Sequence, residues 1–395
     1  MTSTATGQGT GTVWDNLVGQ RPVIDALSAA ASGHGMSQAF LFTGPPGSGR
    51  SNAAVAFAAA LQCESSRGPG CGSCHSCHTV LAGSHADVSV IRTEKLSIGV
   101  DEVRDLVRRS ALAPVGRRWQ ILIVEDADRL TEQACNALLK AIEEPTDRTV
   151  WMLCTPTVDD VLPTIRSRCR LVTLSTPSTR DVTEFLVRTD GIPEELAAHA
   201  ARASQGHIGR ARALAKDEAT RGRREEVVKI PVTLTSLGAA MRSASNLHEV
   251  AKAEAEAITV ELDVREKADL DSSYGVVDRG RRPREYSPAL SALEKSQKAR
   301  AKRRVLDVID RGLMDLVSVY RDAIVLATGA GTELVNEERR RELDRLLRVT
   351  TPEDNLQRIT AVFTAREQML EFNVPPALAL ESMMVALQLP EGARP

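Results

Sequence analysis

Apolar and polar positions follow two regimes along this chain. From Trp14 to Leu174, short apolar runs alternate with amphipathic stretches. Ala39-Phe40-Leu41-Phe42, Val88-Ser89-Val90-Ile91, Ile121-Leu122-Ile123-Val124, Val150 to Cys154 and Leu171 to Leu174 read as strands. Between them, Ser51 to Leu61 is an Ala-rich helix. Val100 to Ser110 repeats Val103, Leu106 and Val107 on one face, and Ala134 to Glu143 is a helix stopped by Pro145. Strands alternating with helices predict an α/β fold with a parallel, doubly wound sheet.

After Leu174 the strand pattern ends. Ser178 to Val187, Glu194 to Ser204 and Ile208 to Lys216 read as short helices, broken at Gly191-Ile192-Pro193 and Gln205-Gly206-His207. Arg221-Gly222-Arg223-Arg224 reads as a hinge or a solvated helix face. From Glu225 the chain is again helical, resuming clearly over Val305 to Thr328, Glu337 to Arg348 and from Pro375-Pro376 to Leu387. The stretch Lys267 to Arg303 is charged and poor in apolar residues. Asp278 to Pro283 punctuates it with a glycine and a proline, so part of it is expected to be a mobile loop. These readings give a flexible start at 1–12, a sheet domain at 13–174, a small helical lid at 175–222 and an all-α domain at 223–395 with a mobile insert at 267–303.

Composition narrows the function. The chain has 395 residues, enough for two or three domains, and its 50 basic and 52 acidic residues nearly cancel. No global positive field marks it for nucleic acid, and 3% aromatics disfavour a base-stacking single-strand binder. No apolar run approaches membrane-spanning length, and Met1 to Thr12 lacks the basic and apolar regions of a signal peptide. A cytoplasmic protein with reduced cysteines is expected.

Gly44-Pro45-Pro46-Gly47-Ser48-Gly49-Arg50-Ser51 follows a predicted strand and opens a predicted helix, the setting of a phosphate-binding loop. Its glycines let backbone N–H groups wrap a phosphate, and the helix N-terminus adds partial positive charge. The lysine of GxxxxGK[ST] is here Arg50. A forked, planar guanidinium holds phosphate with a geometry different from a compact ammonium. Mg²⁺ and the attacking water need an acidic pair after a buried strand, and Glu125-Asp126 follow Ile121 to Val124. The order of long and short carboxylate is the reverse of that preferred in an ATPase.

Cys63, Cys71, Cys74 and Cys77 form C-x₇-C-x₂-C-x₂-C among Gly68, Gly70 and Gly72. Four thiolates at this spacing suit a closed, structural Zn²⁺ site. His75 or His78 replacing one cysteine, a redox dithiol, and an iron–sulfur cluster are the alternatives. Cys135, Cys154 and Cys169 stand apart and read as small buried hydrophobes.

These features together resemble the AAA+ clamp-loader family of bacterial replicases. Asn136 to Pro145 is similar to that family's NALLKxLEEP helix, Ser167-Arg168-Cys169 to its SRC motif, and Val18-Gly19-Gln20 to the segment beside its adenine pocket. The cysteine insert directly after the loop helix is similar too. The resemblance covers Trp14 to Leu174 best, extends to about Gly222, and beyond that rests on helical composition. It implies an AAA+ P-loop domain, a lid and a helical collar. Arg168 would be a finger reaching a neighbour's nucleotide, and Thr155 the polar sensor.

Gly209 falls where a motor subunit carries its sensor arginine. With Arg50 and the swapped acids, this points to the non-motor, delta-prime-like branch. Gly44, Gly47, Gly49, Arg50, Ser51, Glu125, Asp126 and Thr155 would form a degenerate nucleotide site, with ATP and Mg²⁺ left open. The implied partners are gamma/tau and delta subunits in a five-membered ring and, indirectly, the sliding clamp and primed DNA. An active gamma/tau-like ATPase and a zinc-dependent nucleic-acid adaptor are the competing readings.

Overall fold

The computed structural model describes residues 11–66, 68–93, 97–116, 118–275 and 283–390. Most of the expected flexible start and the 278–282 part of the Asp278 to Pro283 stretch lie outside these residues. The chain divides into two compact units, Met1–Lys216 and Asp217–Pro395.

The first unit is built on five parallel strands: β1 (Ala39–Thr43), β2 (Val88–Ile91), β3 (Gln120–Val124), β4 (Thr149–Thr155) and β5 (Arg170–Thr173). Their spatial order is β2-β3-β4-β1-β5. Register pairs Phe40 with both Met152 and Arg170, and Thr43 with both Thr155 and Thr173. Every residue of β1, β3 and β4 is buried, the condition of a sheet covered on both faces.

Alternation sorts the side chains. Phe40, Phe42, Ile121, Ile123, Val150 and Met152 face a core shared with α1 (Arg21–Ala31), α2 (Arg50–Gln62) and α3 (His75–Leu81). Ala39, Leu41, Leu122, Val124, Trp151 and Leu153 face the other core. That side holds α4 (Val100–Ser110), α5 (Glu132–Glu143) and the single turn α6 (Pro163–Arg166). The Ala-rich α2 lies so close that Phe57 meets Phe40 edge-on at 4.9 Å. Such a pair adds about 0.5–1.5 kcal/mol beyond area burial.

Three helices complete the unit: α7 (Thr179–Asp190), α8 (Glu194–Ser204) and α9 (Ile208–Lys216). They share their own core, with Val182, Phe185, Leu186, Ala200 and Leu214, which Val18 joins from the N-terminal segment. A Ser178/Asp181 capping box starts α7, and Gly191 ends it in left-handed conformation.

The second unit contains α10 (Glu218–Thr233), α11 (Leu237–Ser273), α12 (Tyr286–Thr328), α13 (Arg340–Leu347), α14 (Pro352–Leu370) and α15 (Pro376–Ala386). Two expectations change here. The Arg221 to Arg224 run is no hinge but a helix face, solvated at Gly222 and partly at Arg221 and Arg223. It lies inside α10, and Arg224 is buried with Asp315 at 3.1 Å and with Asn336. The unit boundary falls at Lys216, ahead of Gly222.

Much of the Lys267 to Arg303 insert is helix, not loop: its ends belong to α11 and α12. Its charges are used between helices. Arg300 is buried against Asp263 and Glu266, and the Tyr286 hydroxyl donates to Asp271 at 2.6 Å. A pairing of oppositely charged helices gives the same composition as a disordered segment. Among the described residues no helix is long and apolar enough to cross a membrane.

Candidate functional site

β1 ends at Thr43 and α2 begins at Arg50, so Gly44 to Gly49 is the strand-to-helix loop at the carboxyl end of the sheet. That edge is where open parallel sheets carry ligands. Gly47 and Gly49 have φ of 85° and 92°, which a side-chain-bearing residue adopts only under strain. Arg50 is turned back on its own loop, its Nη1 donating to the Gly44 carbonyl at 2.8 Å. Burial pulls its guanidinium below the usual range, against the opposing pull of Cys154, Asp128, Asp126 and Asp160. Ser51 follows on α2 and hydrogen-bonds Cys154, whose thiol burial pushes well above its ordinary value.

The other expected site residues lie on the same edge with internal partners. Glu125 directly follows β3 and is 9% exposed, and Arg92 grips it from two sides at 2.7 and 2.9 Å. Asp126 leads into a 3-10 turn over Ala127–Arg129. Asp128, in that turn, is raised above the usual carboxylate range by burial. Thr155 ends β4 opposite Thr43, and its hydroxyl donates to the Thr157 carbonyl at 3.1 Å, with Asp160 at 3.4 Å. Sequence reading did not find Arg92, since it is 33 residues from its partner and carries no motif.

The turn between α8 and α9 packs on the loop. A Cβ built on Gly47 would lie 2.4 Å from Cγ of His207 and 2.6 Å from its Cα. His207 in turn caps α9, accepting the Arg210 amide at Nδ1. Gly209 is exposed on α9 and presents no side chain to the loop. Gln20, only 2% exposed, joins three parts of the domain. Its amide donates to the Ser175 carbonyl at 2.7 Å and reaches the Ser48 carbonyl at 3.5 Å, and its oxygen accepts the Ser175 amide at 3.2 Å. A cavity of about 370 Å³ opens beside it, lined by Asp15, Val18, Gly19, Arg21, Asp181 and Arg188 among others.

Arg168 stands at the opposite end of the sheet. It precedes the first residue of β5, whose Arg170 pairs with Phe40 near the start of β1, while the phosphate loop begins after Thr43. Four strand residues separate these levels, roughly 13 Å at the usual rise. Arg168 is exposed and bonds Glu143 at 2.8 Å and the Thr164 carbonyl at 2.7 Å. Cys169 beside it is half-buried, and burial pushes its thiol up to about 12.

The four insert cysteines converge. Their sulfurs all lie within 4.8 Å of one another, with Cys74 Sγ 4.0 Å from Cys63 Sγ. A tetrahedral ion with zinc–sulfur bonds of about 2.3 Å requires sulfurs about 3.8 Å apart, so the set fits a metal ion. Each C-x₂-C turn bends an amide onto the preceding sulfur, Cys74 N to Cys71 Sγ at 3.3 Å and Cys77 N to Cys74 Sγ at 3.4 Å. Hydrogen bonding, first from the Ser73 backbone, lowers the Cys71 thiol to about 6. Burial raises Cys77. A bound cation would supply charge that keeps all four thiols deprotonated and would tie the turns together, with no position left open for chemistry. Neither His75 nor His78 belongs to the cluster of four.

A protein-family model described as DNA polymerase III, delta subunit, matches residues 19–178. The DNA polymerase III subunit gamma/tau of Mycobacterium tuberculosis is 37% identical over 156 residues, 38% of this chain and 27% of that protein. The DNA polymerase III subunit delta' of Escherichia coli is 34% identical over 198 residues, 49% of this chain and 59% of that protein. Among solved structures, a DNA polymerase III gamma subunit-related protein of Thermotoga maritima is 19% identical. It aligns over 92% of this chain and 98% of that one, with a TM-score of 0.37. The chain thus spans 27% of this gamma/tau relative and 59% of this delta' relative. Loop, acidic turn, SRC turn and cysteine cluster all fall within residues 19–178, the part that is similar to the DNA polymerase III, delta subunit, family model.

Proposed function

We propose that this chain is a non-motor, stator-like subunit of a replicative clamp loader, lending Arg168 to the nucleotide held by a neighbouring ATPase subunit. The observation that carries the reading is the separation across the sheet. Arg168 lies at the amino end, where it cannot serve its own phosphate loop, and it is exposed to an incoming partner. An arginine there places positive charge where phosphoryl transfer develops negative charge.

The rest of the site supports the same assignment. Arg50 is spent on the Gly44 carbonyl and Glu125 on Arg92, so the residues that would hold phosphate and Mg²⁺ have other partners. In this reading the loop Gly44, Gly47, Gly49, Arg50, Ser51, with Asp126 and Thr155, is a degenerate nucleotide site. Cys63, Cys71, Cys74 and Cys77 hold a structural Zn²⁺. The second unit serves as a helical collar in a five-membered ring with gamma/tau and delta subunits. The ring's ATP-driven work is opening the sliding clamp and loading it on primed DNA.

The similarity to gamma/tau subunits favours a second reading, an active ATPase that tolerates Arg50. Turnover measured on the isolated chain and on the reassembled complex separates the two. The stator predicts no turnover alone, and complex turnover that collapses in Arg168→Ala while assembly is kept. Turnover of the isolated chain that disappears in Arg50→Ala would establish the ATPase instead.

A further inference from the structure

We propose that Glu143 is a positioning residue for Arg168, orienting its guanidinium before a neighbour's phosphate arrives; this rests on the finger reading above. Arg168 Nη2 meets Glu143 Oε1 at 2.8 Å, while Nη1 donates to the Thr164 carbonyl at 2.7 Å and to Ser167 Oγ at 3.2 Å. The guanidinium therefore has acceptors on two sides, which fix its plane, and it still has N–H groups left to offer.

Both ends of the pair stand on rigid supports. Glu143 is the last residue of α5, whose Leu138 and Ile142 are buried in the same core as Ile165 of α6. Thr131 caps the other end of α5 through the Ala134 amide. The spacing between Glu143 and the turn that carries Arg168 is set by that shared core, not by the long side chains.

The position of Glu143 is otherwise unfavourable. A helix C-terminus carries partial negative charge and disfavours a carboxylate, and Glu144 follows directly. Arg168 supplies the compensating cation. Both partners are 40% exposed, so the pair is open to an anion from outside. A polyphosphate carries more charge than one carboxylate and can add to the fork or take over Nη2. Glu143 thus presents the finger without burying it.

The test uses the clamp loader reassembled with its neighbouring subunits. Glu143→Gln is expected to lower ATP turnover roughly 3- to 10-fold with KM unchanged, since a misoriented group costs rate at the chemical step. Glu143→Asp should recover part of the loss. In the Arg168→Ala background, Glu143→Gln should add nothing, because the two act as one unit. In the isolated chain, modification of Arg168 by phenylglyoxal, read by mass spectrometry, should accelerate severalfold in Glu143→Gln. If Arg168→Ala slows the complex but Glu143→Gln leaves both turnover and phenylglyoxal reactivity unchanged, the positioning role is wrong and the finger stands. Effects that multiply in the double variant place Glu143 in some other task and overturn the proposal. If Arg168→Ala itself leaves turnover unchanged, the finger falls and the positioning role with it.

Discussion

The two ends of the parallel sheet treat their polar groups in opposite ways. At the carboxyl end, Arg50 bonds its own loop, Glu125 is clamped by Arg92, Thr155 serves the Thr157 turn and Gly47 is closed by His207. At the amino end, Arg168 projects into solvent from a short turn, steadied by Glu143. Buried polar groups are stable only when satisfied, and at the carboxyl end Arg50, Glu125 and Thr155 are satisfied from within the chain, while the Ser48 hydroxyl of the loop is buried without a partner among the described residues. A group that is both satisfied internally and at least half-buried holds structure together and is withheld from a ligand. An exposed cation on a rigid support is available to one. The contrast teaches that one parallel sheet can hold the polar groups of its loop edge inward while an arginine at its other edge stays exposed.

The largest expected effect tests the amino end. Arg168→Ala should cut turnover of the assembled complex by about 10³-fold, the lower range for removal of an arginine finger. Arg168→Lys should restore little, because an ammonium lacks the planar fork. ATP hydrolysis of the complex at matched assembly checks both, and a loss below twofold would erase the contrast between the ends.

Next in size is the cysteine insert beside the loop helix. Cys71→Ser should abolish bound metal, measured by elemental mass spectrometry. It should also lower the thermal midpoint by about 10 °C if the site is worth several kcal/mol, at roughly 2–4 °C per kcal/mol. Metal-free wild-type protein with an unchanged midpoint would remove the metal from the account.

Gly47→Ala addresses the loop directly. The new methyl meets His207 and a strained φ, and the expected cost is about 1–3 kcal/mol of unfolding free energy, read by denaturant titration. Complex turnover per assembled particle should not change. A turnover defect from this substitution would show that the carboxyl end still performs chemistry.

The smallest effect concerns the lid. Burial alone would raise Asp190, yet hydrogen bonds from Lys216 at 2.6 Å and Arg212 at 2.7 Å hold it below its ordinary 3.8. Its folded value is depressed, so its contribution is complete well above pH 3.8 and is lost as pH falls through the folded value. Asp190→Asn should cost about 1 kcal/mol at pH 7, discounted for the exposure of both cations, and progressively less as pH falls through the folded value. Thermal midpoints across pH 2 to 7 test this, and a cost independent of pH would point to packing instead.

The strands were legible because a sheet buried on both faces leaves unbroken apolar runs, as at Ile121 to Val124. The phosphate loop and cysteine cluster were legible because their chemistry is local in sequence. Long-range charge pairing was not. Nothing near Arg92 signals Glu125, and nothing near Arg300 signals Asp263 and Glu266, so part of the 267–303 stretch reads as a mobile loop. The helix His75–Leu81 escaped notice because its residues belong to the cysteine spacing and its buried apolar face is only Cys77 and Val80. α14 has a capping box at Thr351 and Asp354, a signal that pattern reading could have used. Glu143 sat inside a recognised motif, but only the fold brings it to Arg168.

Gln20 has a consequence for how the protein is made. Its side chain joins Ser175, 155 residues later, to the phosphate loop. At about 5–20 residues per second of synthesis, Ser175 follows Gln20 by roughly 8–30 s. During that interval the amide has no final partner, and the loop lacks its clasp. The domain therefore fastens at its first residues only after its last strand has been synthesised. A ribosome-bound chain halted before Ser175 would expose a sheet that is partly built and still unlatched.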